Sequence, residues 1–303
     1  MPELPEVETV VRELTGLLPG RRMVRASLSA PDLYRSGSRD ISELAGARIE
    51  GVGRRGKAIV ISLVRDDAAA ADRLVVHLGM TGRLEWIAGA GEAAGRHLHA
   101  RLGFEDGTEL RYHDPRRFGY IFVGSRAEAD AALHIGPDPF QLDAAALADV
   151  LRGRRASVKA LLLDQRLVSG LGNIYVDEAL HLARVHPLES GQGASRRAGA
   201  ILAAARRILS RAIRARGTTL RDYRRTDGAA GGFQVKLAVY GREGETCRAC
   251  GARIRRIEVA QRGTHFCPRC QRAPRVSRTT SKMSRGDRSR RAAPRRAGYT
   301  RSR

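Results

Sequence analysis

The hydrophobic period of this chain changes once, and that change limits the fold more than any other feature. From residue 21 to 120 apolar and polar residues alternate in period two between turn signals, as at 48–52, 58–64, 74–78, 97–104 and 110–112. Strands this short and closely spaced, with no amphipathic helix between them, predict an antiparallel sandwich or barrel. Beyond Gly136-Pro137-Asp138-Pro139-Phe140 the apolar residues recur every three or four positions through 142–152, 157–164, 173–183 and 195–216, which predicts a helical second domain. A length of 303 residues, 42% of them apolar, is enough for two cores. The expected chain is α+β and multidomain: a β-sandwich with an N-terminal helix over 1–135, a helical domain over 136–240, a cysteine-rich module over 241–272 and a tail over 273–303.

Gly51-Val52-Gly53-Arg54-Arg55-Gly56 fits G-x-G-x-x-G, but a β-branched strand follows it where a dinucleotide site needs a helix. It is better read as a basic hairpin turn that delivers Arg54, Arg55 and Lys57 to one edge. Gln165 to Gly172 forms a tight double turn, and its amides, with Asn173 opening the next helix, are suited to grip a phosphate.

All four cysteines fall in two pairs, Cys247-x₂-Cys250 and Cys267-x₂-Cys270, separated by a stretch of hairpin length. That is four-thiolate zinc spacing, and four ligands close the coordination shell. The ion expected is one structural Zn²⁺, holding a β-hairpin that projects Arg253, Arg255, Arg256 and Arg262.

The first residues, Met1-Pro2-Glu3-Leu4-Pro5-Glu6-Val7-Glu8, carry the candidate chemistry. Removal of Met1 would leave Pro2 as a free secondary amine. An α-amino group titrates near ~8, against ~10.4 for lysine, so far more of it is neutral and nucleophilic at pH 7. A proline nitrogen that condenses with an aldehyde-type carbon, such as a sugar C1′, has no proton left to lose, so the product is an iminium electron sink. Glu3 adjoins the amine and Glu6 lies one turn later on the same side. Pro with acidic residues also simply starts a helix, which Val7, Val10, Val11 and Leu14 would pack.

The net charge of +23 points to a polyanionic partner, nucleic acid ahead of membrane. Residues 271–303 alone hold twelve Lys and Arg against one acid, Asp287, and read as a disordered, phosphate-binding arm. No run approaches a transmembrane length and no signal peptide precedes the first turn, so a soluble, cytoplasmic protein is expected.

Taken in order, the opening octapeptide, Arg54-Arg55-Gly56-Lys57, His77-Leu78-Gly79-Met80-Thr81-Gly82, Asp114-Pro115-Arg116-Arg117-Phe118-Gly119, Gly172-Asn173-Ile174-Tyr175 and Gln261-Arg262-Gly263-Thr264 with the cysteines resemble bacterial formamidopyrimidine-DNA glycosylases. The resemblance implies a helix–two-turns–helix second domain and a C-terminal zinc finger. It implies a bifunctional glycosylase and abasic-site lyase that removes oxidised purines from duplex DNA and cuts the strand by β,δ-elimination. It assigns Pro2 as nucleophile, Glu3 as acid/base, Glu6 as its support and Lys57 as a group fixing the scissile nucleotide. Met80, Arg116 and Phe118 would fill the space left by the extruded base. His99, Lys159, Asn173 and Arg262 would contact DNA. A mobile lid would lie at 218–233, including Tyr223 and Asp227. The implied partner is duplex DNA with an oxidised purine or abasic site, the implied state is a monomer, and no organic cofactor is expected. Two other readings stand beside this one: an endonuclease VIII-like glycosylase for oxidised pyrimidines, and a non-catalytic zinc-bearing DNA-binding module.

Overall fold

The computed structural model describes residues 2–65, 72–89, 95–220 and 223–273. Met1, the tail from 274 onwards, and Arg221 and Asp222 of the expected lid lie outside the described residues. Within them no helix is long and apolar enough to cross a membrane.

The first helix, α1 (Leu4–Thr15), starts with Pro5 in its first turn, and Glu6 Oε2 accepts the otherwise orphaned Glu3 N–H at 2.8 Å. Eight antiparallel strands follow: β1 (Met23–Leu28), β2 (Arg48–Arg55), β3 (Ala58–Val64), β4 (Asp72–His77), β5 (Arg83–Ile87), β6 (Leu98–Phe104), β7 (Glu109–His113) and β8 (Tyr120–Ser125). They form two four-stranded sheets, ordered β1-β6-β7-β5 and β2-β3-β4-β8. The inward residues of both sheets, among them Ile59, Ile61, Leu74, Val76, Leu102, Leu110 and Tyr112, share one core with Val7, Val10, Val11 and Leu14 of α1. Each such aliphatic side chain stabilises the fold by ~1.5–3 kcal/mol. The sandwich is therefore as the period predicts, and the G-x-G-x-x-G stretch is the end of β2 and its turn into β3.

One helix was not legible. Over the outer face of the second sheet, α2 (Arg126–Leu133) lays Ala129 and Leu133 on Ala58, Val75 and Phe122. Its two apolar contacts are too few to stand out as a periodic stripe.

The second domain comprises α3 (Ala144–Leu151), α4 (Val158–Leu163), α5 (Asn173–Leu182), α6 (Gly191–Ser195) and α7 (Ala198–Arg214). The helix expected from 195 begins instead at Ala198, after the short α6. The finger follows as a hairpin of β9 (Arg255–Val259) and β10 (Arg262–Phe266), paired antiparallel.

The two domains meet inside α1. Leu4 packs in the helical core, with Tyr175, Leu171 and Phe233, while Val7 onwards belong to the sandwich. Leu4 N also donates to Gly170 O at 3.0 Å. The first turn of α1 is thus part of the second domain, although it lies at the start of the first.

Candidate active site and metal centre

The N-terminus of α1 points at the N-terminus of α5, and a carboxylate fills the gap. Glu3, almost wholly buried, accepts the backbone N–H groups of Gly172 at 2.8 Å, Ile174 at 2.9 Å and Tyr175 at 3.3 Å. An anion at the positive end of a helix, receiving its free amides, is electrostatically favoured. The sequence assigns these amides to a phosphate; in the structure Glu3 occupies them. A Cβ on Gly172 would lie 2.4 Å from the Glu3 carboxyl carbon, so only glycine admits the carboxylate at this distance. Pro2, the adjoining residue, is buried.

Glu6 forms the second layer. Its Oε1 accepts the Tyr175 hydroxyl at 2.5 Å and Thr218 N–H at 2.7 Å. Burial, with the Glu3 charge beside it, raises its carboxyl to about 7 despite three donors that favour the anion. Burial likewise raises Glu3, against the opposing pull of Lys57 and the three amides. The Lys57 ammonium is lowered by burial while both carboxylates hold it up, and Arg262 from the finger adds its positive charge. Pro2, Glu3, Glu6, Lys57 and Arg262, read from three separate stretches of the sequence, therefore gather around the junction of sandwich, helical domain and finger. His77 is there too: burial, then Lys57 and Arg35, lower it to about 4, so it is neutral at pH 7.

Two basic residues are committed to carboxylates of the protein itself. Lys159 is fully buried, its ammonium 2.7 Å from Asp177 Oδ1 and 3.4 Å from Gly263 O. It braces the finger against α5, and in this structure it presents no charge to a DNA backbone. Arg54 joins Glu8 of α1 at 2.9 Å, Gly56 O at 3.0 Å and Asp138 of the interdomain segment at 2.8 Å. It locks the hairpin turn; Arg55, exposed, pairs with Asp130. Asn173 donates Nδ2–H to Gly263 O at 2.9 Å and leaves Oδ1 buried without a partner.

A second cluster lies on two exposed turns of the sandwich. Arg116 reaches Met80 Sδ at 3.7 Å and stacks its guanidinium over the Phe118 ring, 4.4 Å from the centroid, so the three expected space-filling residues touch one another. Phe118 is 55% exposed, so its ring, with the Arg116 guanidinium over it, faces outward from the turn. Underneath, buried Asp114 accepts from Thr81 Oγ1 at 2.5 Å, Gly119 N at 2.8 Å, Tyr112 OH at 3.2 Å and Arg116 N at 3.3 Å, joining both turns. His99 sits against the Asp114 carbonyl at 3.0 Å. Gly79, at φ 59°, lets the Met80 turn come within what would be 2.4 Å of a Cβ from the Phe118 carbonyl carbon.

The described part of 218–233 is docked against α1. Arg225 Nε meets Glu13 Oε1 at 2.6 Å, Thr226 Oγ1 and N meet Glu13 Oε2 at 2.8 and 3.1 Å, and Tyr223 is buried beside α1.

The four cysteine sulfurs lie within 4.8 Å of one another, with Cys250 to Cys267 at 3.4 Å and Cys247 to Cys270 at 4.0 Å. Tetrahedral Zn–S bonds of ~2.3 Å space sulfurs roughly 3.8 Å apart, so the set fits a structural zinc. All four of Arg253, Arg255, Arg256 and Arg262 are exposed on the finger, although Arg253 is tied to Gly244 O at 2.6 Å.

The contacts that hold these parts together were largely missed. Asp177 accepts His265 N–H at 2.8 Å, and Glu178 accepts the amides of Ala238, Val239 and Tyr240 at 2.8, 2.8 and 2.9 Å, so α5 carries the finger. Two adjacent acids in an otherwise apolar, buried helix were the available signal.

Comparison with known proteins follows the same divisions. Residues 1–121 match the formamidopyrimidine-DNA glycosylase N-terminal domain, 135–224 the H2TH domain of the same enzymes, and 244–273 a zinc finger found in FPG and IleRS. A formamidopyrimidine-DNA glycosylase of a Methylobacterium species is 42% identical over 303 residues, covering 90% of this chain and all of the relative. A Lactococcus lactis FPG mutant, in complex with DNA containing Fapy-dG, superimposes with a TM-score of 0.80 at 35% identity, covering 90% of this chain and 100% of the other. The wild-type Lactococcus lactis protein in complex with DNA containing an oxidised pyrimidine gives the same TM-score, identity and coverage.

Proposed function

The chain belongs to the formamidopyrimidine-DNA glycosylase family, and from that premise we propose that it excises oxidised purines, 8-oxoguanine and formamidopyrimidines, from duplex DNA and then cuts the strand through Pro2. The observation that carries this reading is the Glu3 carboxylate, adjacent to Pro2 and held by three amides of the opposite domain.

After loss of Met1, the Pro2 nitrogen attacks C1′ as the C1′–N9 bond breaks, and a proton delivered near the sugar or base lets the purine leave. Glu3 suits that delivery because burial raises its carboxyl while Lys57 and the amides keep the anion accessible. The Pro2 nitrogen gives up its N–H proton, and the C1′–O4′ bond then breaks with a proton delivered to O4′, so the product is a ring-opened C1′ iminium. Loss of a C2′ proton to a base then expels the 3′ phosphate, and a second elimination expels the 5′ phosphate, leaving a one-nucleotide gap with phosphates at both ends. Lys57 and Arg262 hold the flanking backbone, while Met80, Arg116 and Phe118 enter the duplex, Arg116 meeting the orphaned base. Asn173 steadies the finger at Gly263 and offers its free Oδ1 to the site. Structural Zn²⁺ on Cys247, Cys250, Cys267 and Cys270 supplies rigidity to the finger and no chemistry.

Borohydride trapping on a duplex with 8-oxoguanine opposite cytosine tests the reading. The expected result is a covalent adduct mapping to Pro2 and strand cleavage without borohydride, both lost in Pro2→Gly. Zinc-loaded, Met1-processed protein that binds the duplex but gives neither adduct nor cleavage would leave only a DNA-binding module. Because the Lactococcus lactis relative was captured with an oxidised pyrimidine, the panel includes one; faster excision of it than of 8-oxoguanine would move the chain to the pyrimidine-specific reading.

A further inference from the structure

The zinc cysteines are not all screened in the same way. Arg184, Arg197, Arg269 and Arg272 line one cleft with Cys250 and Cys270, so guanidinium groups stand over that side of the cluster. Cys247 does not line that cleft and is buried. Facing it is His181, whose Nε2 lies 3.6 Å from Cys247 Sγ, within hydrogen-bonding range for sulfur.

His181 is in the last turn of α5, and its place there is not accidental. Asn173, Asp177 and His181 fall at i, i+4 and i+8, one stripe along the helix. The first holds Gly263, the second holds His265 and Lys159, and the third reaches the metal ligand. The polarity of the helix makes a donor necessary at that position. Four thiolates on Zn²⁺ leave a formal charge of about −2, and the C-terminus of a helix repels negative charge. An N–H placed between the two offsets the repulsion and takes up electron density from the sulfur.

We propose that His181 is a positioning residue of the zinc centre, donating its Nε2–H to the Cys247 thiolate and thereby fastening the metal to the C-terminal turn of the helix that holds Glu3 at its other end. A ring with its proton on Nε2 makes this bond whether or not Nδ1 is also protonated. Hydrogen-bonded ligand partners of this kind set both ligand orientation and the strength of metal retention.

The test needs no DNA and no turnover, so its failure is distinct from failure of the glycosylase reading. In the full chain, zinc transfer to the chelator 4-(2-pyridylazo)resorcinol is followed for wild type, His181→Phe and His181→Gln. The same three proteins are loaded with Co²⁺ to record the thiolate-to-metal charge-transfer band. Phe fills the space without a donor, and it should release zinc roughly 10–100 times more readily and move the band to lower energy, as expected for a more electron-rich sulfur. Gln keeps an N–H, and it should stay close to wild type in both. The proposal is overturned if Phe matches wild type, or if Phe and Gln lose zinc equally with the band unmoved, which would mean that His181 only fills space.

Discussion

The junction around Glu3 and the turns around Phe118 serve one site in the proposed mechanism, yet they are built in opposite ways. At the junction the Glu3 and Glu6 carboxylates are buried, and apart from the bond between Glu3 N and Glu6 Oε2 their side-chain partners come from distant parts of the chain. On the turns Met80, Arg116 and Phe118 touch mainly one another, and a single buried carboxylate, Asp114, fixes them from below. The first arrangement preorganises charge, which is worth most where water is excluded. The second leaves an apolar and cationic surface waiting for contact. The contrast implies that damage to the junction lowers both stability and chemistry, whereas damage to the turns lowers DNA binding alone.

The sharpest test is Glu3→Gln. An amide cannot accept all three backbone donors and carries no exchangeable acid, so base excision should fall roughly a hundred- to ten-thousandfold, with a measurable loss of Tm. Single-turnover excision within a few-fold of wild type would dissolve the distinction between the regions.

Gly172→Ala leaves every ionisable group in place and only adds a methyl group where the Glu3 carboxylate lies. Displacing a catalytic group by about 1 Å costs on the order of a hundredfold, so excision should drop by about that much while affinity for abasic-site DNA changes little. Unchanged excision would show that the carboxylate has room that the structure denies it.

Glu6 provides a pH test confined to the junction. Its carboxyl rises in the fold to about 7 from an ordinary 4.5, so folding favours the protonated form. Its contribution to stability is complete below about 4.5 and is lost as pH rises through about 7. The Tm of wild type relative to Glu6→Gln should therefore decline across that interval, by an amount equivalent to roughly a few kcal/mol at most. A difference independent of pH would mean that Glu6 is ionised throughout.

The smallest effect belongs to the turns. Phe118→Ala should leave stability within about 0.5 kcal/mol of wild type and weaken binding to lesion-containing duplex about tenfold, within the ~1–3 kcal/mol of one base–aromatic stack. A Tm loss as large as that of Gly172→Ala would break the comparison from the other side.

How much of this was legible in the sequence depended on distance along the chain. The sandwich could be read because alternation is local, and the thiolate cluster because two short spacings define it. Glu3 and Glu6 were visible as a pair one turn apart. Their partners Tyr175 and Thr218 were not, since nothing at residue 3 or 6 reports what packs more than 160 residues away. The same limit explains the misreadings. The amides at 172–175 have the pattern of an anion site, and they do hold an anion, but one supplied by Glu3. Lys159 has the letter of a phosphate ligand, and only the fold reveals Asp177 against it. Asp114 belongs to a motif recognised for Arg116 and Phe118, yet its own work appears only when the two turns are seen side by side.

The split of α1 between two cores has a consequence for synthesis. Pro2 to Glu6 leave the ribosome first, but Glu6 finds Thr218 only after 212 further residues have been made. At 5–20 residues per second that interval is roughly 10–40 s. Throughout it the junction around Glu3 and Glu6 is incomplete, and under the proposed mechanism the N-terminus stays open to the aminopeptidase that would remove Met1. The residues translated first thus wait for partners made much later, so an incomplete chain, lacking α5 and the segment after α7, carries the proposed nucleophile but not the surroundings that would make it act.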